Sequence, residues 1–133
     1  MIGLDTNILV RYLTGDDPVQ SAKAREIFEH RLSARNPGFV SVVAMVETVW
    51  VLDHAYGFAA QEIAAAIERM LQIEVLEIEN EQEVFSAMIA LKNNGLGSFA
   101  DAFIGELGTR AGCSGTLTFD RKAARLPGFR LVS

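Results

Sequence analysis

The sequence predicts one α/β domain in which helices cover both faces of a mostly parallel central sheet. Short apolar segments alternate with longer segments whose apolar residues recur at helical spacing, and glycine, asparagine or proline separates them. A helix between two strands favours a right-handed, parallel crossover. Because the chain has 133 residues and is half hydrophobic, it fits one domain over residues 1–133.

Five short apolar segments are predicted strands. In chain order they are Met1–Leu4, Phe39–Ser41, Val75–Ile78, Thr116–Phe119 and Phe129–Val132. Each is bounded by turn residues or by a change to helical spacing. Asn36-Pro37-Gly38 predicts a turn before the second strand, and Pro127-Gly128 predicts a turn before the last strand.

The helices are predicted from the spacing of apolar residues and from start and stop signals. Asp17-Pro18 is typical of a helix start, because proline is favoured in the first turn. Gly15, Gly57 and Gly95 stand where helical spacing ends. The predicted segments are Thr6–Leu13, a helix from Pro18 with Ala24, Ile27, Phe28 and Leu32 on its buried face, an apolar helix after Ser41, Ala59–Leu71, Glu81–Lys92, Ser98–Arg110 and Arg121–Leu126.

The composition limits which binding partners and which cellular compartment fit this protein. The net charge of −5 argues against attraction to nucleic acid or a membrane surface through the field of the whole molecule, so a polyanion must be held locally. Cys113 is the only cysteine, and no signal-like segment follows Met1, so we expect a reducing cytoplasm. The longest apolar stretch, Phe39–Leu52, is shorter than the roughly 20 residues of a membrane-spanning helix and is interrupted by Glu47.

Four acidic residues are the candidate functional groups. They are Asp5, Glu47, Asp101 and Asp120, and each lies where an apolar segment gives way to a loop or a helix. In an α/β protein, ligands bind outside the carboxyl ends of parallel strands, so acids after different strands would converge on one crevice. Converging carboxylates require cations, and the sequence therefore predicts a metal site.

Three of these acids also have a purely structural explanation. Asp5 and Asp120 precede helical segments and are favoured N-cap residues. Ser98 and Asp101 have the spacing of a capping box, although glutamate or glutamine is the usual partner. Taken singly, each acid could serve only to start a helix.

Glu47 has a different alternative. It interrupts an otherwise apolar segment, where burial of an ionised carboxylate is costly unless it is paired or bound to metal. A buried ion pair with an arginine is the structural explanation. Considered together, the four acids favour a metal site over four separate structural roles.

Metal-assisted phosphodiester hydrolysis is the chemistry that such a site fits. Mg²⁺ and Mn²⁺ prefer oxygen ligands and are held by few carboxylates together with phosphate oxygens. They activate water and stabilise the leaving oxygen, whether one or two ions are used. His30 and His54 lack ligand-like spacing to each other or to Cys113, which argues against zinc.

Four segments carry a resemblance to a known family. They are Leu4–Leu9, Ser41–Leu52, Phe99–Ile104 and Thr118–Lys122. Together they resemble the PIN-domain ribonucleases and, within them, the VapC-like toxin subunits of bacterial type II toxin–antitoxin modules. The resemblance spans nearly the whole chain, and the segment after Asp101 departs from the family pattern at Phe103 and Glu106.

The resemblance implies a function and a set of roles. Asp5, Glu47, Asp101 and Asp120 correspond to the family's acidic metal-binding quartet, and Asn7 and Thr118 are expected to be supporting polar residues. It also implies dependence on Mg²⁺ or Mn²⁺, RNA as substrate, a homodimer, and inhibition by an antitoxin whose tail occupies the active-site groove.

Two other functions compete with this interpretation. A phosphatase with an aspartate nucleophile after the first strand would need a second aspartate at position 7, where this chain has Asn7. A non-catalytic receiver or interaction module would bind Mg²⁺ and leave RNA intact. Assays of phosphorylated-substrate turnover and of RNA cleavage distinguish the three candidate functions.

Overall fold

A computed structural model describes residues 1–95 and 97–132. Two compact units are formed, Met1–Glu79 and Asn80–Ser133. Every strand pair within the described residues is parallel, and helices separate most of the strands, so the predicted α/β fold class is confirmed. A single domain over residues 1–133 stays a prediction.

The first unit contains a three-stranded parallel sheet and four α-helices. The sheet has the order β1-β2-β3, with Gly3 opposite Phe39 and Val40 opposite Ile78. Its elements are β1 Ile2–Gly3, α1 Thr6–Thr14, α2 Pro18–Glu26, β2 Gly38–Val40, α3 Val42–His54, α4 Ala60–Leu71 and β3 Leu76–Ile78. These bounds agree with the predicted elements to within a few residues.

The core of the first unit is apolar and fully enclosed. The side chains of Val40, Met45, Leu52, Ile63 and Ile67 are all buried. They come from β2, α3 and α4, so the predicted helices turn their apolar sides towards the core and the second predicted strand contributes to it.

Helix α2 is followed by a π-helical turn, Ile27–Arg31, which was not predicted. Asp17 caps the start of α2 by accepting backbone hydrogen bonds from Val19 and Gln20, as Asp17-Pro18 predicts. Phe28 is buried and stacks on Tyr12 of α1, with ring centroids 3.9 Å apart. This stacking contact packs the π-helical turn against α1.

The second unit contains two packed helices and a two-stranded parallel sheet. Its elements are α5 Glu81–Asn94, α6 Ser98–Arg110, β4 Thr116–Thr118, a 3₁₀ turn Ala123–Arg125 and β5 Phe129–Leu131. The predicted helix Arg121–Leu126 is therefore only this short turn. Val84, Met88 and Leu91 of α5 are buried, as are Phe99 and Phe103 of α6.

Helix lengths also bear on membrane insertion. Within residues 1–95 and 97–132, no helix has the length and apolar character that crossing a bilayer requires.

Candidate active site

Asp5 is placed by the first strand and starts the first helix. The backbone N–H of Leu4 donates to the carbonyl of Phe39, so Asp5 follows the paired end of β1. Asp5 is the N-cap of α1, and its Oδ1 accepts a hydrogen bond of 2.8 Å from the Thr6 N–H. The capping explanation for Asp5 is correct, but the side chain is exposed and remains accessible to a ligand.

Thr6 connects Asp5 to the second acid of this unit. Its side chain is buried, and its hydroxyl donates to Oε1 of Glu47 on α3. One residue therefore donates to two carboxylates, through its backbone N–H and through its hydroxyl. Sequence reasoning missed this role; the signal was a threonine directly after the candidate acid, at the start of a helix.

Glu47 is not buried, although its apolar neighbours in the sequence predicted that it would be. Helix α3 buries Ala44, Met45, Thr48 and Leu52, whereas Glu47 is exposed. Val43 and Trp50, four and three residues away, are 75% and 58% exposed and share its side of the helix. The apolar neighbours thus do not enclose the carboxylate, and the predicted buried arginine pair is absent from the contacts of the described residues.

Asp101 does not start a helix. Helix α6 begins at Ser98, its N-cap is Gly97 in the left-handed region at φ 89°, and no side chain caps it. The predicted capping box is therefore wrong, since Ser98 lies inside the helix. Asp101 is half-buried, and its carboxylate forms no hydrogen bond or ion pair with another described residue.

Asp120 is held in the turn after β4. Its Oδ1 accepts a hydrogen bond of 2.9 Å from the Lys122 N–H, and its own N–H donates to the Thr118 hydroxyl at 3.0 Å. The N-cap of the following 3₁₀ turn is Lys122, so Asp120 closes a local turn and is not the N-cap that the structural explanation expects. Thr118 contacts the backbone of Asp120, and its supporting role at the site stays a prediction. Asp120 is exposed, so one of its carboxylate oxygens remains open to solvent.

Asp101 and Asp120 line one cavity of the second unit. The cavity has a volume of about 350 Å³ and is also lined by Asn94, Ser98, Lys122 and Arg125. Two carboxylates and two cationic side chains therefore share its walls. Such a mixture fits a cation together with a phosphate better than an apolar ligand.

The carboxylates occur as one pair in each unit. Within either unit, the described residues bring together no three His, Cys, Asp or Glu side chains with the spacing of a metal site. Asp5 and Glu47 share Thr6, and Asp101 and Asp120 share a cavity. This all-oxygen donor set fits Mg²⁺ or Mn²⁺, and convergence of the four acids stays a prediction.

Three further polar residues bear on the site. Asn7 is exposed in the first turn of α1, next to Thr6. The guanidinium of Arg11 could contact phosphate but is engaged by other residues: it donates to both oxygens of Asp16 at 3.1 Å and to Tyr56 at 2.7 Å. Lys122, in contrast, lies on the cavity wall beside Asp120.

The sequence matches a known family across nearly its whole length. The model of the PIN domain matches residues 2–128. The chain is also similar to a VapC ribonuclease of Aquifex aeolicus (strain VF5), with 27% identity over 131 residues that cover 98% of this chain and 94% of the relative. The extent of the family match, together with the α/β fold, shows that this chain belongs to the PIN-domain family.

Proposed function

We propose that this protein is a Mg²⁺- or Mn²⁺-dependent ribonuclease and the toxin of a type II toxin–antitoxin pair. The observation that carries the proposal is Asp101, a half-buried carboxylate that caps nothing and lines a cavity with Asp120. Its carboxylate forms no hydrogen bond with another described residue and faces this open cavity, so it is available to a ligand. The family match and the VapC relative support hydrolysis of RNA.

Each acid has a proposed role that its surroundings support. Asp5, Glu47, Asp101 and Asp120 would hold the metal, and Thr6 would orient Asp5 and Glu47. Thr118 holds the turn that presents Asp120. When bound, the metal lowers the pKa of a coordinated water and neutralises phosphate charge.

The remaining residues would position the RNA. Lys122 and Arg125 lie on the wall of the cavity that holds Asp101 and Asp120, where cationic side chains can bind the phosphates on either side of the cleaved bond. Their two positive charges balance the two carboxylates on the same walls. Asn7 is a further proposed supporting residue, because it lies exposed beside Thr6.

The proposed partners follow from the resemblance to the VapC-like toxin subunits. A cognate antitoxin would block the site, the active form would be a homodimer, and both would act in the cytoplasm. Sedimentation of the purified protein, alone and with the product of an adjacent reading frame, tests both assemblies. A monomer that no such product binds would contradict them.

The decisive experiment is cleavage of a labelled structured RNA with Mg²⁺ or Mn²⁺, with EDTA, and with the Asp5→Asn/Asp101→Asn double variant. We expect metal-dependent cleavage that the double variant loses. Asp17→Asn is a matched control, because asparagine also caps helices and the Asp17 carboxylate caps α2. A folded wild type that binds Mn²⁺ and cleaves none of several RNAs would favour the non-catalytic binding module.

Thermal unfolding gives a second test that needs no RNA. Carboxylates close together repel one another, so a divalent cation should raise the melting temperature. Asp5→Asn should reduce that increase. A melting curve that is indifferent to Mg²⁺ and Mn²⁺ would contradict metal binding.

A further inference from the structure

A second cavity lies in the second unit, beside the cavity that contains Asp101 and Asp120. Its volume is about 210 Å³. Helices α5 and α6 form its sides, and the segment before and within β5 closes it. The residues that matter for its chemistry are Ile89, Ala90, Asn94, Glu106, Leu126 and Phe129.

The size and walls of this cavity fit one nucleobase. Sites for drug-sized ligands have volumes of about 300–1,000 Å³, so this cavity suits a smaller group such as a single ring system. Ile89, Leu126 and Phe129 provide apolar and aromatic surface for the faces of a flat ring. Proteins that bind single-stranded RNA stack unpaired bases on such surfaces and form hydrogen bonds with the base edges.

Glu106 is the charged group of the cavity, whose other polar side chains are Ser86, Asn93 and Asn94. It is half-buried in α6, and its carboxylate forms no hydrogen bond or ion pair with another residue of 1–95 or 97–132. An ionised carboxylate only accepts hydrogen bonds, and adenine, cytosine and guanine offer it an exocyclic amino group. The one edge donor of uracil, N3–H, lies between two carbonyl oxygens that repel a carboxylate, so uracil is disfavoured. Phe103, the other departure from the family pattern, is instead fully buried and does not line the cavity.

The two cavities share walls. Asn94 and Leu126 line both of them, and Lys122 and Arg125 line the one that contains the acids. The side-chain amide of Asn94 donates to the Ala90 carbonyl at 3.0 Å, which holds the shared wall in place. A nucleotide joins its phosphate to its base through one sugar, so a phosphate near Asp101 would bring its own base to the second cavity.

We propose that the cavity between α5 and α6 is a base-binding subsite for a nucleotide next to the cleaved phosphate, and that Glu106 makes it prefer amino-bearing bases. This inference rests on the proposed ribonuclease function. Adenine, cytosine and guanine are the bases that it accepts, and uracil is the one that it disfavours.

Binding of single nucleotides tests the subsite without cleavage. The probes are AMP, CMP, GMP and UMP, titrated in EDTA against the wild type and followed by NMR. We expect at least one amino-bearing nucleotide to bind about tenfold more tightly than UMP, and Glu106→Gln to remove that difference. Equal binding of all four nucleotides, or a preference that Glu106→Gln retains, would overturn the proposal.

Filling the cavity gives an independent variant. Ala90→Met places a longer side chain in the cavity, and its matched control is Ala65→Met, at an exposed alanine of helix α4 in the first unit. We expect Ala90→Met to weaken nucleotide binding about tenfold or more, and Ala65→Met to leave it unchanged. Circular dichroism shows whether each variant is folded, and Glu106→Gln keeps the test valid if Ala90→Met is not.

Cleavage of a random RNA pool separates this inference from the function on which it rests. If the wild type and Glu106→Gln cut with the same base preference, the subsite fails and the ribonuclease stands. If no RNA is cut but the nucleotide preference depends on Glu106, the ribonuclease fails and the subsite stands. Loss of base preference in Glu106→Gln with cleavage retained supports both.

Discussion

The hydroxyl of Thr6 donates a hydrogen bond to the carboxylate of Glu47, across 41 positions of the chain. Thr6 is buried at the first position of α1, whereas Glu47 is exposed on α3. The same threonine donates its backbone N–H to Asp5. A residue without charge therefore sets the orientation of two acids that the sequence marks as candidates.

Replacement of Thr6 by valine should impair metal binding more than folding. Thr6→Val keeps the shape of the side chain and removes the donor to Glu47. Replacing a residue that hydrogen-bonds to a metal ligand typically weakens metal binding by about 10- to 100-fold. We expect an affinity loss in that range for Mn²⁺, measured by calorimetry, and a fall of about 1 kcal/mol in the free energy of unfolding.

Thr48→Val is the matched control for that experiment. Thr48 is a buried threonine of α3 whose hydroxyl donates to the Ala44 carbonyl at 2.7 Å and to none of the four acids. It should alter stability but not Mn²⁺ affinity. Equal loss of affinity in both variants would show that the Thr6 contact has no specific role.

Two substitutions of Asp120 should separate its structural role from its proposed metal role. Asp120→Asn retains an oxygen that accepts from the Lys122 N–H, whereas Asp120→Ala loses it. We expect only the alanine variant to be destabilised, by about 1 kcal/mol, and both variants to lose metal-dependent cleavage. Cleavage that survives in Asp120→Asn would assign Asp120 a structural role alone.

A buried glycine in β2 should tolerate no side chain. A Cβ added to Gly38 would lie 2.7 Å from Leu4 and 2.9 Å from Leu32, two core residues. Gly38→Ala should therefore lower the free energy of unfolding by about 1–3 kcal/mol, measured in urea. Because Leu4 precedes Asp5, Mn²⁺ affinity should fall as well.

Gly3→Ala is the control for the Gly38 variant. Gly3 lies in the neighbouring strand β1, and a Cβ added there would meet nothing within 4 Å. Its effect should remain within about 0.5 kcal/mol. A similar loss in both variants would mean that glycine in this sheet is required for reasons other than space.

Acid should destabilise the protein through Asp16. Hydrogen bonds from Tyr56 and Thr14, together with the charge of Arg11, lower the pKa of Asp16 from 3.8 to about 2. The unfolded chain then binds the proton more readily than the folded chain, so this contribution is complete above pH 3.8 and is lost as pH falls towards 2.

Urea unfolding between pH 2 and pH 5 measures that contribution. We expect Asp16→Asn to flatten the pH dependence below about pH 4, and Tyr56→Phe to flatten it in part, because Tyr56 donates the hydrogen bond that lowers the pKa most. Glu74→Gln, at an exposed loop residue, controls for the change in charge. A pH dependence that Asp16→Asn leaves unchanged would exclude this network as its source.

The four candidate acids show where sequence reasoning succeeds and where it does not. Asp5 and Asp120 were expected next to strand ends, and they lie there because strand ends and caps are local features. The capping box at Ser98 was wrong, because Gly97 takes the N-cap position instead. Glu47 was expected to be buried, yet α3 turns only one side inward.

The sequence by itself determined the α/β class, the approximate bounds of the regular elements and the family. Those properties depend on periodicity, turn residues and segment motifs, which act over short distances along the chain. The tertiary structure alone decided that Thr6 holds Glu47, that Arg11 is engaged by Asp16, and that Glu106 lines a cavity. These contacts join residues or elements that only packing brings together, and no local pattern encodes which partner a side chain meets.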